Sequence, residues 1–284
     1  MEKTYRFGPV LVLFRDLPHY PNWPFWRWKL DPFGTEDGIP DITVDHCPEA
    51  VTPIGAPVWT DDAAGREVYL QEDGTLLWQQ TEPGRGQLQL QFLVSPDWSR
   101  ITLRADNSAT VGMGAFESLT FLIYYAFLRR QVLTFHGAVV EAGGRCFLLC
   151  ADSGVGKTTH ARLWRDHKNA LILNGDRATC YQQGDRWLGF GTPWCGTSGE
   201  YLNRSAALQA VVILKQGKEN RVSATNGMSL LPHIVYPRWD RASTERMLSL
   251  LDRFLETVPV LQLECVPDVS SVDALYQALE NLPL

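Results

Sequence analysis

The sequence predicts an α/β fold, α+β overall, in which a β-rich N-terminal domain at residues 1–112 precedes an α/β domain at 113–284. Short runs of alternating or β-branched residues dominate the first part, whereas strands alternate with helices in the second. The composition agrees, because 284 residues with 45% hydrophobic and 20% charged side chains are typical of a folded protein with a substantial core.

The first 112 residues contain short segments typical of strands. These strand-like segments lie at 10–14, 66–70, 75–78 and 87–93. Asp73-Gly74 lies between two of them and favours a tight hairpin. The aromatic segment at 23–28 is interpreted as packing in a small β core, with an aromatic binding platform as the alternative.

From residue 114 the pattern changes to alternating helices and strands. Helices are predicted at 114–130, after residue 156, from 228, at 243–256 and at 271–279. Strands are predicted at 132–141, 146–150, 170–173, 208–214 and 260–265, with two more around Gly184-Asp185. A right-handed crossover after the 146–150 strand predicts that 170–173 runs parallel to it and ends at the carboxyl edge of the sheet.

The most informative segment is the run Ala151-Asp152-Ser153-Gly154-Val155-Gly156-Lys157-Thr158, between an apolar strand and a helix. That context is the one a P-loop requires. Its glycines let backbone N–H groups face phosphate oxygens, while Lys157 reaches the β and γ phosphates and Thr158 holds Mg²⁺. Ala151 replaces the first glycine of the usual pattern, which a negative φ tolerates. The predicted nucleotide-binding residues are Asp152, Ser153, Gly154, Val155, Gly156, Lys157, Thr158 and Thr159.

Two further side chains are predicted to converge on this loop. If the preceding turn centres between Gly143 and Gly144, pairing places His136 opposite Ala151. Asp176 follows the strand after the loop helix and so is expected at the ligand-binding edge. Alone, such a histidine is more often a core residue and such an aspartate a turn residue. Beside the loop, a functional interpretation is favoured for both.

These residues resemble the C-terminal catalytic domain of HPr kinase/phosphorylase and its relatives, which share their core with phosphoenolpyruvate carboxykinase. His136-Gly137, the glycine loop and Leu173-Asn174-Gly175-Asp176 occur in the family's order and spacing, across roughly residues 115–280. The resemblance implies a mixed-sheet P-loop domain that uses ATP and Mg²⁺, with Lys157, Asp176 and His136 as catalytic residues and with Thr158 and Asp176 as metal ligands. Residues 1–112 match no family.

The chain departs from the family at one position of direct chemical consequence. The family has two adjacent aspartates after this strand, whereas Asp176 is followed by Arg177. Metal binding and general-base duty then both fall on Asp176. Arg177 either neutralises γ-phosphate charge in the transition state, as an arginine finger does, or is a solvent-exposed or ion-paired arginine. The glycine-rich signature of the HPr kinases themselves is absent, so HPr is not the expected acceptor.

The segment at 191–200 is rich in turn formers and small polar residues, which favours a lid or substrate loop. Trp194 is a candidate for stacking on a substrate or base, and Glu200 for binding a metal or substrate cation. In the structural alternative, Trp194 anchors the loop and Glu200 is a surface charge.

The sequence thus predicts an ATP- and Mg²⁺-dependent kinase that transfers the γ-phosphoryl group to a hydroxyl of a peptide, protein or small molecule. The N-terminal domain would select the substrate. One alternative is a non-catalytic ATP-binding regulatory or partner-binding protein, and another is carboxykinase-like chemistry on the same core. The acceptor and the oligomeric state do not follow from the sequence.

The composition argues against nucleic acid as a partner and against a membrane-spanning segment, and it favours the cytoplasm. A net charge of −6 disfavours nucleic acid, which needs a basic surface. The longest apolar stretch, at 121–128, is too short to cross a membrane. Six cysteines without C-x-x-C spacing favour a reducing, cytoplasmic setting.

Overall fold

The computed structural model describes residues 2–15, 17, 20, 22–105 and 109–282, which form two compact units. The first comprises Met1–Arg129 and Arg238–Arg241, and the second comprises Arg130–Pro237 and Ala242–Leu284. Each contains a mixed β-sheet and helices, so the architecture is α+β with two mixed sheets. No helix in the described part of the chain is both long and apolar enough to cross a membrane.

The first unit is built on a nine-stranded sheet. Its strands are β1 (Lys3–Phe7), β2 (Val10–Phe14), β3 (Gly34–Thr35), β4 (Ile42–His46), β5 (Trp59–Asp61), β6 (Arg66–Leu70), β7 (Leu76–Thr81), β8 (Leu88–Val94) and β9 (Arg100–Ala105). They pair in the order β3-β1-β2-β4-β9-β8-β7-β6-β5, parallel at β2–β4 and β4–β9 and antiparallel elsewhere. The four predicted strand segments correspond to β2, β6, β7 and β8, and the hairpin at Asp73-Gly74 is confirmed by the pairing of Leu70 with Leu76.

The aromatic segment near the N-terminus is a helix, α1 (Trp23–Leu30), rather than part of a β core. Trp23 and Trp26 are buried, as the packing interpretation requires, because a spacing of three residues places them on one helical face. Trp28 lies off that face and is 67% exposed. Pro24 is compatible with the helix since it occupies the first turn, where its missing N–H is not needed.

Helix α2 (Ala109–Arg129) belongs to the first unit, so the division falls at 129/130 rather than at the predicted 112/113. The reason is side-chain packing. The Phe116 ring lies 5.3 Å from the Trp26 ring of α1, and the Phe127 ring lies 6.3 Å from that of Phe7 in β1. The helix thus covers the first sheet, which its position next to β10 in the sequence does not reveal.

Between residues 130 and 282, the second unit contains eight strands and three α-helices. The strands are β10 (Val132–Ala142), β11 (Arg145–Cys150), β12 (Leu171–Asn174), β13 (Arg177–Gln183), β14 (Arg186–Phe190), β15 (Ser205–Gln216), β16 (Arg221–Ala224) and β17 (Val260–Cys265). The helices are α3 (Lys157–Lys168), α4 (Arg241–Leu255) and α5 (Val269–Glu280). The segment Gly227–His233, predicted as a helix from 228, is 3₁₀-helical.

Five strands of the second sheet form a closed circuit. β11 pairs with β10 on one side and with β15 on the other, and β15 connects back to β10 through β14 and β13. β15 also pairs in parallel with β17, so that β11, β15 and β17 are parallel neighbours. Helices α3 and α5 cover one face, where Trp164 and Leu275 pack in the same core as Phe147 and Val212. The carboxyl ends of the three parallel strands therefore lie beside the start of α3.

Candidate functional site

The β10–β11 hairpin places His136 at the mouth of the loop that follows β11. Ala142 pairs with Arg145 across a turn of two positive-φ glycines, and Gly137 pairs with Cys150. Continuing this register puts His136 opposite Ala151, as predicted. Glycine is needed at position 137 because β10 and β11 approach each other closely there. A Cβ on Gly137 would lie 2.8 Å from the backbone oxygen of Leu149.

Residues 151–156, which we call the glycine loop, connect β11 to α3. Gly154 and Gly156 have φ values of 80° and 115°, in the left-handed region that favours glycine. Ala151 is buried without a positive φ, as its position requires, whereas residues 152–154 are exposed. Helix α3 begins at Lys157, so its first-turn N–H groups and its positive dipole end adjoin the exposed loop. This is the backbone arrangement that binds anions.

Four side chains converge where α3 begins. Lys157 Nζ donates to the Ala151 carbonyl oxygen over 2.8 Å and lies 3.2 Å from His136 Nε2. His136 Nδ1 lies 2.9 Å from Arg177 Nη1 and 3.4 Å from Asp176 Oδ1. Arg177 is ion-paired with the carboxylate of Asp176 and is 17% exposed, so it is not a solvated surface charge. The side chains proposed as catalytic thus form one connected cluster.

This cluster has an excess of positive charge. Burial and the neighbouring Lys157 cation lower the pKa of His136, so the imidazole is neutral at pH 7. Burial likewise lowers the pKa of Lys157. With His136 neutral, the Lys157 and Arg177 cations face the single carboxylate of Asp176. A neutral imidazole accepts a hydrogen bond at only one nitrogen, yet cationic donors approach both. An anion bound here would offset that charge and give Lys157 a better acceptor.

Asp176 lies in a break between two strands that pair with the same edge of β10. Val139 of β10 is opposite Asn174 of β12, and His136 is opposite Arg177 of β13. Gly175 and Asp176 interrupt the ladder between these pairs, and Asp176 remains attached through its carbonyl oxygen, which accepts from Gly137 N over 3.1 Å. β12 runs in the same direction as β11, as predicted, because both are antiparallel to β10. Gly137 also pairs with Cys150, so Asp176 lies level with the carboxyl end of β11, and the chain then continues along β10 as β13.

Asn174 orients this break, a role that the sequence alone does not assign to it. The side chain is fully buried, and its Oδ1 accepts from the backbone N–H groups of Asp176 (2.9 Å) and Arg177 (2.7 Å). Its Nδ2 donates to the carbonyl oxygens of Thr192 (2.9 Å) and Trp194 (3.0 Å). An asparagine followed directly by glycine at the end of a strand is an Asx-turn signal, which could have identified it.

The loop at 191–200 lies against Asp176. A Cβ on Gly196 would be 2.5 Å from Asp176 Oδ2, and one on Gly175 would be 2.2 Å from Ser198 Oγ. Trp194 is 1% exposed, so in this structure it anchors the loop and has no surface for stacking. The loop is therefore close enough to shape whatever approaches the Asp176 carboxylate.

Glu200 joins this loop to α3. Its carboxylate accepts from Arg165 Nη1 over 2.7 Å and from Arg162 Nε over 3.4 Å. These two arginines are its side-chain partners among the described residues. No local pattern predicts this pairing, since 35 and 38 residues separate the partners along the chain.

His233 is a second residue that sequence reasoning missed. It is 6% exposed, and the next residue, Ile234, forms a bridge with Phe135, which places His233 near His136. Burial lowers its pKa, so it adds no positive charge at pH 7. A histidine in an irregular segment carries no sequence signal for this position.

Oxygen ligands for Mg²⁺ are present, although the protein does not form a complete cage. Thr158 and Asp176 each offer a side-chain oxygen, and no group of three or more His, Cys, Asp or Glu residues in the described ranges could hold a metal. Mg²⁺ is usually held by one or two protein oxygens together with substrate phosphates and waters. The residues fit a metal that arrives with a phosphate ligand.

Comparisons with known proteins identify no family for this chain. No protein-family model matches it. No curated protein matches it either. Among solved structures, it is similar to the HPr(Ser) kinase/phosphatase from Coxiella burnetii, with 10% identity and a TM-score of 0.30, over 52% of this chain and 99% of that chain. A likeness at this level identifies neither activity nor ligands.

Proposed function

We propose that the second unit binds ATP with Mg²⁺ at the glycine loop and transfers the γ-phosphoryl group to a hydroxyl, as a divergent relative of the HPr kinase/phosphorylase catalytic domain. The observation that supports this most directly is the connected cluster of Lys157, His136, Arg177 and Asp176 at the start of α3. A buried lysine, an anion-binding helix end and an adjacent carboxylate are the groups that phosphoryl transfer needs.

Each residue has a definite task in this proposal. The exposed loop N–H groups and Lys157 bind the phosphate oxygens, and Arg177 offsets the charge that develops on the γ-phosphoryl group. The acceptor oxygen forms a bond to γ-phosphorus as the bond to the ADP oxygen breaks, and the hydroxyl proton goes to Asp176. Mg²⁺, held by Thr158, Asp176 and phosphate oxygens, would neutralise further charge. His136 orients the Asp176 carboxylate and Lys157.

ATP binding and hydrolysis should be measured with and without Mg²⁺ on the wild type, Lys157→Ala, Asp176→Asn and the control Lys168→Ala. Lys168 lies at the far end of α3 and pairs with Asp273, so its loss should change neither property. Lys157→Ala should abolish both, whereas Asp176→Asn should retain binding and lose turnover. Absence of Mg²⁺-dependent ATP binding in the wild type would refute the proposal.

One observation favours the non-catalytic alternative, in which ATP only sets a conformation. The Asp176 carboxylate is already ion-paired with Arg177, so it is less available as a base. Arg177→Asp restores the family's second aspartate and distinguishes two roles of Arg177, inhibition of the base and stabilisation of the transferred charge. If Arg177 inhibits the base, this variant gains turnover; if Arg177 stabilises transferred charge, the variant loses it while ATP remains bound.

We infer further that the β-rich N-terminal domain selects the acceptor, in the cytoplasm. The observation that supports this role is that the first unit has a sheet of its own, which contributes none of the proposed phosphate-binding residues. Cross-linking of an acceptor, once identified, should map to residues 1–112. Cross-links found only in the second unit would contradict this role.

A further inference from the structure

A cavity of about 240 Å³ lies in the second unit beside the glycine loop. Its wall includes Val155 and Gly156 of the loop, His160 of α3, Gln216 at the end of β15, and Pro267 beyond β17. It therefore lies at the carboxyl ends of parallel strands, where α/β sheets bind ligands. The four residues of the proposed catalytic cluster are not among those that line it.

His160 is the unusual member of this wall. The side chain is 1% exposed, and neither ring nitrogen has a hydrogen-bond partner among the described residues. Buried polar atoms are nearly always paired with protein, water or ligand, so two unpaired nitrogens beside a cavity indicate a missing partner. A neutral imidazole offers one donor and one acceptor, so it can pair with a partner that presents both.

The order of strands gives the bound phosphate chain a direction. β10 and β13, which carry His136 and Arg177, lie on one side of β11 together with β12 and the break that carries Asp176. β15 and β17, which border the cavity, lie on the other side. A polyphosphate over the loop at the end of β11, with its reacting end toward Asp176, has its opposite end toward the cavity.

We propose that this cavity receives the base of the nucleoside triphosphate and that His160 hydrogen-bonds the edge of the base. This inference rests on the proposed function, because it assumes that the glycine loop holds the phosphates. The volume is below the range of about 300–1,000 Å³ that encloses whole drug-sized ligands, so it suits one planar heterocycle and not an entire nucleotide. The neutral imidazole matches a base edge, which presents donors and acceptors side by side.

The test compares ATP with inorganic tripolyphosphate, which carries the phosphate chain without a base. Dissociation constants should be measured by calorimetry for the wild type, His160→Phe, His160→Asn and the control His167→Phe, which changes an exposed histidine on the same helix. The wild type should bind ATP more tightly than tripolyphosphate. His160→Phe should weaken ATP binding about tenfold through lost hydrogen bonding, with tripolyphosphate unchanged.

His160→Asn, which keeps a donor and an acceptor, should retain part of the preference for ATP, and His167→Phe should retain all of it. Equal binding of ATP and tripolyphosphate by the wild type would overturn the base site and leave the phosphate site standing. Equal weakening of both ligands in His160→Phe would overturn it as well, by showing a general structural role. If the wild type binds neither ligand, the proposed function itself fails.

Discussion

At the scale of single residues, Asn174 shows how one buried amide can connect two parts of a site. Its oxygen accepts from the break that carries Asp176, and its nitrogen donates to the 191–200 loop. Aspartate is nearly the same size but cannot donate, and alanine can do neither. Asparagine is thus the residue type that satisfies both sides without a buried charge.

Asn174→Ala should lower the free energy of unfolding by about 1–3 kcal/mol, because it leaves buried backbone groups unpaired. It should also reduce turnover more than ATP affinity, since the Asp176 carboxylate loses its orientation. Denaturant unfolding and ATP titration check the two parts, with the exposed Asn281→Ala as the control. Unchanged stability would show that the backbone groups find other partners.

His160 makes stability depend on pH. Its pKa is about 4 in the folded protein, below its ordinary value of 6.5, because burial disfavours the charged ring. Between these pH values the unfolded chain binds more protons than the folded protein. The free energy of unfolding therefore has its highest value, as far as His160 is concerned, above pH 6.5 and decreases as the pH drops toward 4. The contribution lost over this window is roughly 3 kcal/mol.

As pH falls from 7 to 4.5, the free energy of unfolding should therefore decrease more for the wild type than for His160→Phe. Denaturant unfolding at both pH values measures it, and His167→Phe serves as the exposed control. Lys215 and Cys265, which line the same cavity, are unchanged in all variants. A constant difference at the two pH values would mean that the buried ring is not the titrating group.

At the scale of elements, local signals predicted local pairing and failed where partners are distant. The paired glycines at 143 and 144 fix the β10–β11 register, so the position of His136 followed from the sequence. The break at Asp176 exists because β12 and β13 share one edge of β10, which no local pattern encodes. Helix α1 does not follow from the sequence, because its aromatic residues favour packing in a β core.

The contact between the 191–200 loop and α3 offers a test at this scale. Glu200→Gln should change the free energy of unfolding by no more than about 1 kcal/mol, because its arginine partners are half-exposed. Amide exchange at 195–200 should nevertheless accelerate, since the loop loses its ionic attachment to α3. Hydrogen exchange with mass spectrometry measures this.

Asp166→Asn is the matched control, since it removes another carboxylate from Arg165 without touching the loop. Equal acceleration at 195–200 in both variants would show that the Glu200 ion pair does not hold the loop. Unchanged exchange in Glu200→Gln would mean that the backbone bond from Gly175 N to the Glu200 carbonyl oxygen is sufficient.

At the scale of the whole molecule, the sequence predicted the class of the fold better than the boundary between the two units. Two mixed sheets in an α+β chain agree with the expected class. The unit to which α2 belongs could not be predicted from the sequence. It depends on which sheet packs against the apolar side of the helix, and along the chain α2 lies between strands of both sheets. The cluster residues, in contrast, all come from 136–177, a short stretch in which topology rules apply directly.

All proposed nucleotide contacts lie in the second unit, so Mg²⁺ and ATP should protect that unit selectively. At an ATP concentration of 100 times the dissociation constant, binding stabilises the folded state by about 2.7 kcal/mol. Amide exchange should slow at 151–160 and 174–177 and stay unchanged at 3–105, whereas Lys157→Ala should show no slowing. Slowed exchange at 3–105 in the wild type would contradict the assignment of nucleotide binding to the second unit alone.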